Sequence, residues 1–250
     1  MEDVRHRLKG EKADLDYSDT YVFFRDRARK FDEGNPYAVT MYQDGHPELV
    51  RERNAAEMEK LLPLLEAGSG SRVLDIACGI GRWSDALGDD IGFYCGTDFS
   101  PALIHIAQTR NKERPGRRFL VGAAQEVREV LIAQGLENFD RILLMGILIY
   151  LNDGDALSAL RQAGSVAAAR ARILLREPVA VGERLTLKGF YSEELKHDYN
   201  AVYRNREELR AMLGQTLLAD GFVIIQEGFL FTDKLNNRQE TTQYYYLLER

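Results

Sequence analysis

The first 66 residues are aromatic-rich and helical in pattern, with Tyr17, Tyr21, Phe23, Phe24 and Phe31 before a break at Asn35-Pro36-Tyr37. A second helix starts near Pro47-Glu48, where proline suits the first turn, and ends before Gly68-Ser69-Gly70. After those glycines the pattern changes to short apolar runs alternating with longer amphipathic stretches. Strands are predicted over 72–76, 92–97, 119–122, 140–145 and 172–177, and helices over 82–87, 101–111, 125–134 and 153–169. Ser100-Pro101 caps and opens the second of these helices. The rhythm breaks between Val179 and Asn205, an aromatic and charged stretch that reads as an inserted cover. A helix over 206–219 and two strands, 222–231 and 242–249, complete the chain, with a polar segment from Thr232 to Thr241 between those strands.

Strands alternating with helices of this length predict an α/β fold whose parallel sheet carries helices on both faces. The expected organisation is a helical cap over 1–68 and a core over 69–250, with the insertion at about 179–205. A chain of 250 residues with 45% hydrophobic positions can bury one such core. No stretch approaches the roughly 20 apolar residues of a membrane helix. Met1 to Lys12 is charged and lacks a signal-peptide core, so a cytoplasmic protein is expected. Net charge is −6, which disfavours a nucleic-acid partner. The densest basic cluster, Arg110, Lys112, Arg114, Arg117 and Arg118, reads as a solvated helix end and loop. Cys78 and Cys95 lack metal-ligand spacing and read as packing residues, and His6, His46, His105 and His197 are scattered, so no metal is expected.

The chemistry concentrates in Val73-Leu74-Asp75-Ile76-Ala77-Cys78-Gly79-Ile80-Gly81. An apolar strand runs into a glycine turn and then a helix, so backbone amides can approach a ligand closely. Asp75 sits at the strand end, where a carboxylate would repel a pyrophosphate but attract an ammonium group. Asp98 lies 19 residues beyond Gly79, on the tip of the next strand, where it can accept hydrogen bonds from ribose hydroxyls. A third fingerprint glycine is absent, since Arg82 and Trp83 follow Gly81. One carboxylate for an amine and one for a ribose describe a nucleoside amino acid better than NAD.

These segments, with Asp98-Phe99-Ser100, Phe119 to Val127 and Phe139 to Asn152, resemble the motifs of class I (Rossmann-like) S-adenosylmethionine-dependent methyltransferases. The resemblance covers about residues 70–177. It implies a seven-stranded, doubly wound, mostly parallel sheet whose last strand is antiparallel, and S-adenosyl-L-methionine as cofactor. It places Asp75, Ala77, Gly79, Gly81, Asp98, Phe99, Ala124, Gln125 and Met145 around that cofactor, Phe99 beside the adenine and Met145 on the methionyl side. The acidic residue that usually takes the adenine amino group is replaced here by Ala123, leaving either Gln125 or a backbone carbonyl for that contact.

A sulfonium methyl is already electrophilic, so the protein's task is alignment and exclusion of water, worth about 7–11 kcal/mol. Tyr21, Tyr37 and His197, with Glu177 and Tyr191, are the candidate bases, although each also reads as a packing or surface residue. Tyr21, Arg25, Tyr37 and Tyr42, together with the cover from Leu185 to Arg206, are expected to build a pocket for a small, polar, anionic acceptor. N- and O-methylation stay open. A protein acceptor and a non-catalytic cofactor-binding module are the alternatives. A base-flipping enzyme is disfavoured because Met145-Gly146-Ile147-Leu148 holds no proline and no amide at the position where such enzymes grip a base.

Overall fold

The computed structural model describes residues 6–42, 44–231, 234–236 and 238–250. The first five residues of the charged N-terminus, and Thr232, Asp233 and Asn237 of the polar segment, lie outside the described residues.

Between Arg72 and Glu249, strands β2 (Arg72–Ile76), β3 (Phe93–Asp98), β4 (Arg117–Val121), β5 (Phe139–Met145), β6 (Ala167–Ala180), β9 (Val223–Phe229) and β10 (Thr241–Glu249) form one seven-stranded sheet. Its order is β4-β3-β2-β5-β6-β10-β9, and only β10 runs against its neighbours. The chain steps outward from β2 in one direction and returns to β5 on the other side. A crevice opens at this reversal, beyond the carboxyl ends of β2 and β5, where open α/β sheets bind ligands.

Helices cover both faces, so the central strands read as unbroken apolar runs. Leu74, Ile76, Ile142, Leu144, Ile173 and Leu175 pack under α6 (Val127–Ile132), α7 (Asp153–Ser165) and α8 (Arg206–Gly214). Their alternates Val73, Leu143 and Leu174 meet Leu61, Trp83 and Ile104, contributed by α3 (Pro47–Leu61), α4 (Arg82–Leu87) and α5 (Pro101–Arg110). Ser100 caps α5 through the Leu103 amide. Cys78 and Cys95 are free and buried. Of the α5 stripe, Leu103, Ile104 and Ala107 are buried and His105 is exposed.

Five regions depart from the sequence reading. Arg7–Lys9 is a strand, β1, because its backbone pairs with β7 (Leu185–Ser192), a partner 180 residues away that no local pattern reveals. The cover is a hairpin of β7 and β8 (His197–Tyr203), which with β1 makes a separate three-stranded sheet. Helix α7 stops at Ser165, and Ala167 to Ala169 extend β6 instead; alanine favours a helix locally, but the ladder to β5 wins. Helix α8 ends at Gly214, and the helix expected over 125–134 splits into a 3₁₀ turn, Ala124–Glu126, and the short α6. The basic cluster is also less solvated than expected: the Arg117 side chain is buried, while Arg110 and Arg114 pair with Asp85 and Asp89.

The N-terminal helices α1 (Tyr17–Arg29), capped by Asp16, and α2 (Ala38–Met41) stand between the crevice and the small sheet. Phe23 and Phe24 pack there against Tyr150 and Tyr199. No helix among the described residues is long and apolar enough to cross a membrane.

Candidate active site

The turn after β2 holds three residues with positive φ: Ala77 (63°), Gly79 (55°) and Gly81 (81°). Gly79 is required on two counts, because a side chain there would be strained and its Cβ would lie 2.8 Å from Thr40 Cγ2 of α2. The turn is tied to the tip of β3. The Cys78 amide donates to the Thr97 carbonyl, and the Gly79 amide to Asp98 Oδ2 at 3.0 Å. Asp98 Oδ1 accepts from the Ser100 amide at 2.9 Å. Burial pushes this carboxyl up to about 6, against the pull of those two amides.

Asp75 is placed differently from the sequence expectation. Its side chain is buried and does not line the crevice. Tyr94 donates its hydroxyl to Oδ2 at 2.6 Å, and Oδ1 has no hydrogen-bond partner among the described residues. Burial raises the carboxyl to about 7, while the Tyr94 hydrogen bond and the Arg82 charge act the other way. Gly81 also stands back from the crevice, as the N-cap of α4.

Two adjoining cavities share Phe24, Ala77, Phe99, Ile147 and Tyr150. The outer one, about 250 Å³, is mostly apolar, with Phe99, Ala123, Ala124 and Gln125 along its wall and Tyr21 at its rim. The inner one, about 170 Å³, begins at Ala77, Gly79, Asp98 and Met145. It is lined further in by Tyr42, Tyr150, Tyr199 and Tyr203 together with Arg53, Arg176 and Arg238. The Tyr150 and Tyr199 hydroxyls are 2.9 Å apart, and burial raises the pKa of both phenols well above the ordinary value. They are therefore neutral hydrogen-bonding groups at physiological pH.

Arg176 has a fixed internal counter-charge. Glu57 of α3, itself buried, accepts from Arg82 Nη2 at 3.0 Å and from Arg176 Nη2 at 3.2 Å. Burial would raise this carboxyl, but the two guanidiniums hold it below the usual range. Arg176 also donates to Gln243 Oε1 at 3.3 Å.

Most of the candidate bases stand elsewhere. Tyr37 donates to Asp85 at 3.0 Å and lines neither cavity. His197 faces Asp26, with its ring against Phe23, and Tyr191 is half exposed on the outer sheet. Arg25 pairs with Asp26 at the surface. Glu177 is buried behind the cavities, accepting backbone amides. Only Tyr21 among them touches a cavity, with its ring 6.3 Å from that of Phe99. The sequence reading missed Tyr150, Arg53, Arg176, Arg238 and Gln243. Arg176 and Gln243 meet diagonally across paired strands, Arg176 lying opposite Tyr245 and Gln243 opposite Pro178, a register visible only once β6 and β10 are aligned. Among the described residues no group of three His, Cys, Asp or Glu side chains could hold a metal ion.

The residues present fit S-adenosylmethionine. A buried carboxylate at a strand tip suits vicinal hydroxyls, an apolar recess beside Phe99 suits a planar base, and a tight turn in positive φ brings backbone close to whatever lies between them.

Residues 73–169 match the family described as a methyltransferase domain. No curated protein matches the chain. Among solved structures, the chain is similar to Haemonchus contortus phosphoethanolamine N-methyltransferase 1 in complex with phosphoethanolamine and S-adenosylhomocysteine, at 20% identity and a TM-score of 0.69. That match covers 92% of this chain and 48% of the other, so the chain spans about half the length of that protein. It is similar also to magnesium protoporphyrin IX methyltransferase from Synechocystis PCC 6803 with bound S-adenosylmethionine (19% identity, 96% and 100% coverage, TM-score 0.61). The N-methyltransferase NodS from Bradyrhizobium japonicum WM9, in complex with S-adenosylhomocysteine, matches at 16% identity with 91% and 98% coverage and a TM-score of 0.59. At these identities the structures show the fold alone, and within that Rossmann-like fold residues 73–169 match a methyltransferase domain.

Proposed function

We propose that this chain is a cytoplasmic enzyme that methylates an N or O atom of a small, polar, anionic molecule. The observation that carries the reading is the inner cavity, which joins the turn at Ala77 and Gly79 to a wall of four tyrosines and three arginines. S-adenosylmethionine supplies, when bound, a methyl group on an electrophilic sulfonium. In this reading Asp98 accepts the ribose hydroxyls, Phe99, Ala123 and Ala124 flank the adenine with Gln125 at its edge, and Met145 lies beside the methionyl chain. Asp75 stands behind the turn, tied to Tyr94 and outside both cavities, and in this reading makes no direct contact with the cofactor.

The acceptor's anionic group is held by the guanidiniums of the inner cavity, with the neutral phenols of Tyr42 and of whichever of Tyr150 and Tyr199 does not donate to the other as further hydrogen-bond donors. Helices α1 and α2 and the hairpin β7–β8 close over the cavity and keep water from the reacting atoms. The Haemonchus contortus protein binds phosphoethanolamine, a small amine bearing an anion, which is the class this lining suits.

Incubation with labelled S-adenosylmethionine and a panel of phosphorylated amines, amino acids, nucleotide sugars and apolar aromatic acceptors tests the reading. Transfer to anionic members is expected, and Arg176→Gln should raise KM for them at least tenfold. Methylation confined to the apolar aromatics would overturn it.

A further inference from the structure

The chain leaves β5 through Gly146, at φ 80°, and makes a single 3₁₀ turn, Leu148–Tyr150. So short a turn satisfies none of its leading amides internally, and this one is buried. Its side chains matter to both cavities: Ile147 and Tyr150 wall the two of them, Ile149 the inner and Leu151 the outer.

Its backbone is held from two sides by two charged groups. Glu177 of β6, 2% exposed, takes the amides: Oε1 accepts from Ile147 at 2.8 Å and Leu148 at 3.0 Å, and Oε2 from Ile149 at 3.3 Å. Arg204, just past β8 and 3% exposed, takes the carbonyls, donating to Leu148 O and Leu151 O at 2.7 Å each. Arg204 is itself fixed by Asp153 at the start of α7, which also pairs with Arg184. Three separate elements thus converge on five residues of backbone.

We infer that Glu177 and Arg204 are positioning residues: together they set the 147–151 backbone so that Tyr150 and Ile147 form the wall between cofactor and acceptor. Burying a carboxylate and a guanidinium is a costly way to stabilise a turn, since a well-packed apolar substitute would serve stability as well. What an apolar substitute cannot do is fix individual amides and carbonyls in direction, which a ligand wall requires. The same device orients the Tyr150 hydroxyl toward Tyr199.

The inference rests on the cofactor reading for its purpose but not for its detection. Residue-resolved amide hydrogen exchange is measured on the full chain as wild type, Glu177→Gln and Arg204→Lys, with S-adenosylhomocysteine affinity by calorimetry and thermal melting alongside. Glutamine keeps an oxygen for Ile147 and Leu148 and turns an NH₂ group toward Ile149. Exchange at Ile149 should therefore accelerate at least tenfold, with smaller changes at Ile147 and Leu148 and none at the centre of β6. Affinity for S-adenosylhomocysteine should fall about tenfold while the melting temperature moves little, and Arg204→Lys should lower affinity less. General destabilisation would raise exchange across β5 and β6 together, and that pattern overturns the inference. So does faster exchange at Ile149 with unchanged affinity. If the wild type failed to bind S-adenosylhomocysteine the cofactor reading would fall, and the exchange pattern alone would decide whether the clamp exists.

Discussion

Replacing Asp98 with asparagine changes no volume and removes one charge at the junction of turn, strand tip and cavity. In the wild type each carboxylate oxygen already accepts one backbone amide, from Gly79 and Ser100. Asparagine can serve the Ser100 amide with its oxygen, but then turns an NH₂ group toward the Gly79 N–H, donor against donor. The charge-assisted acceptor for the ribose is lost together with the Gly79 tie. Hydrogen bonds to a charged group are worth about 1.5–3 kcal/mol, so the dissociation constant for S-adenosylhomocysteine should rise roughly 10- to 150-fold. The carboxyl titrates near 6, and only its ionised form accepts from both amides and the hydroxyls. Wild-type affinity should therefore decline as pH falls through 6, by about tenfold a full unit below that value, whereas the variant's affinity stays flat over the same range. Calorimetry at several pH values reads both effects, with circular dichroism to show that the variant is folded. A folded Asp98→Asn protein that binds as the wild type does would refute the assignment of Asp98, and with it the polarity of the bound cofactor.

Two further consequences concern buried carboxyls. Asp75 titrates near 7 in the folded protein against 3.8 ordinarily, so the folded state holds a proton that the unfolded chain releases. The associated stabilisation is present below about pH 4 and is lost as pH rises through 7; Asp75→Asn, whose oxygen still accepts from Tyr94, should gain on the wild type by up to roughly 4 kcal/mol across that window. Urea unfolding at acid and alkaline pH measures this, and a pH-independent difference between the two proteins would contradict it. Glu57→Ala leaves Arg82 and Arg176 buried without their shared counter-charge and should cost about 3–5 kcal/mol of unfolding free energy. A loss under about 1 kcal/mol would show that the arginines find other partners.

The sheet was legible in the sequence because each central strand is an apolar run bounded by glycine or polar turns, a local signal that needs no partner to read. Val73 to Gly81 and Asp98 were found for the same reason: a strand, a glycine turn and an acid at fixed spacing are properties of the chain itself. Asp75 shows where that reasoning stops. Its position at a strand end was readable, but its side chain is held by Tyr94, which reaches it diagonally from a position opposite Val73 only because β2 and β3 pair in a particular register.

The tyrosine and arginine lining of the inner cavity was only partly within reach of the sequence, for a related reason. Tyr42 and the cover that carries Tyr199 were expected at the pocket, but Tyr150, Arg53, Arg176 and Arg238 come from four further places along the chain, and none of these four carries a local pattern that sets it apart from an ordinary surface or core residue. The N-terminal strand, the hairpin it joins, and the extension of β6 at the expense of α7 likewise depend on partners far away. Local propensity and spacing determined the elements of the core and the cofactor turn. Long-range pairing and burial decided which side chains share a cavity, because a side chain's environment is fixed by its neighbours in space and not by its neighbours along the chain.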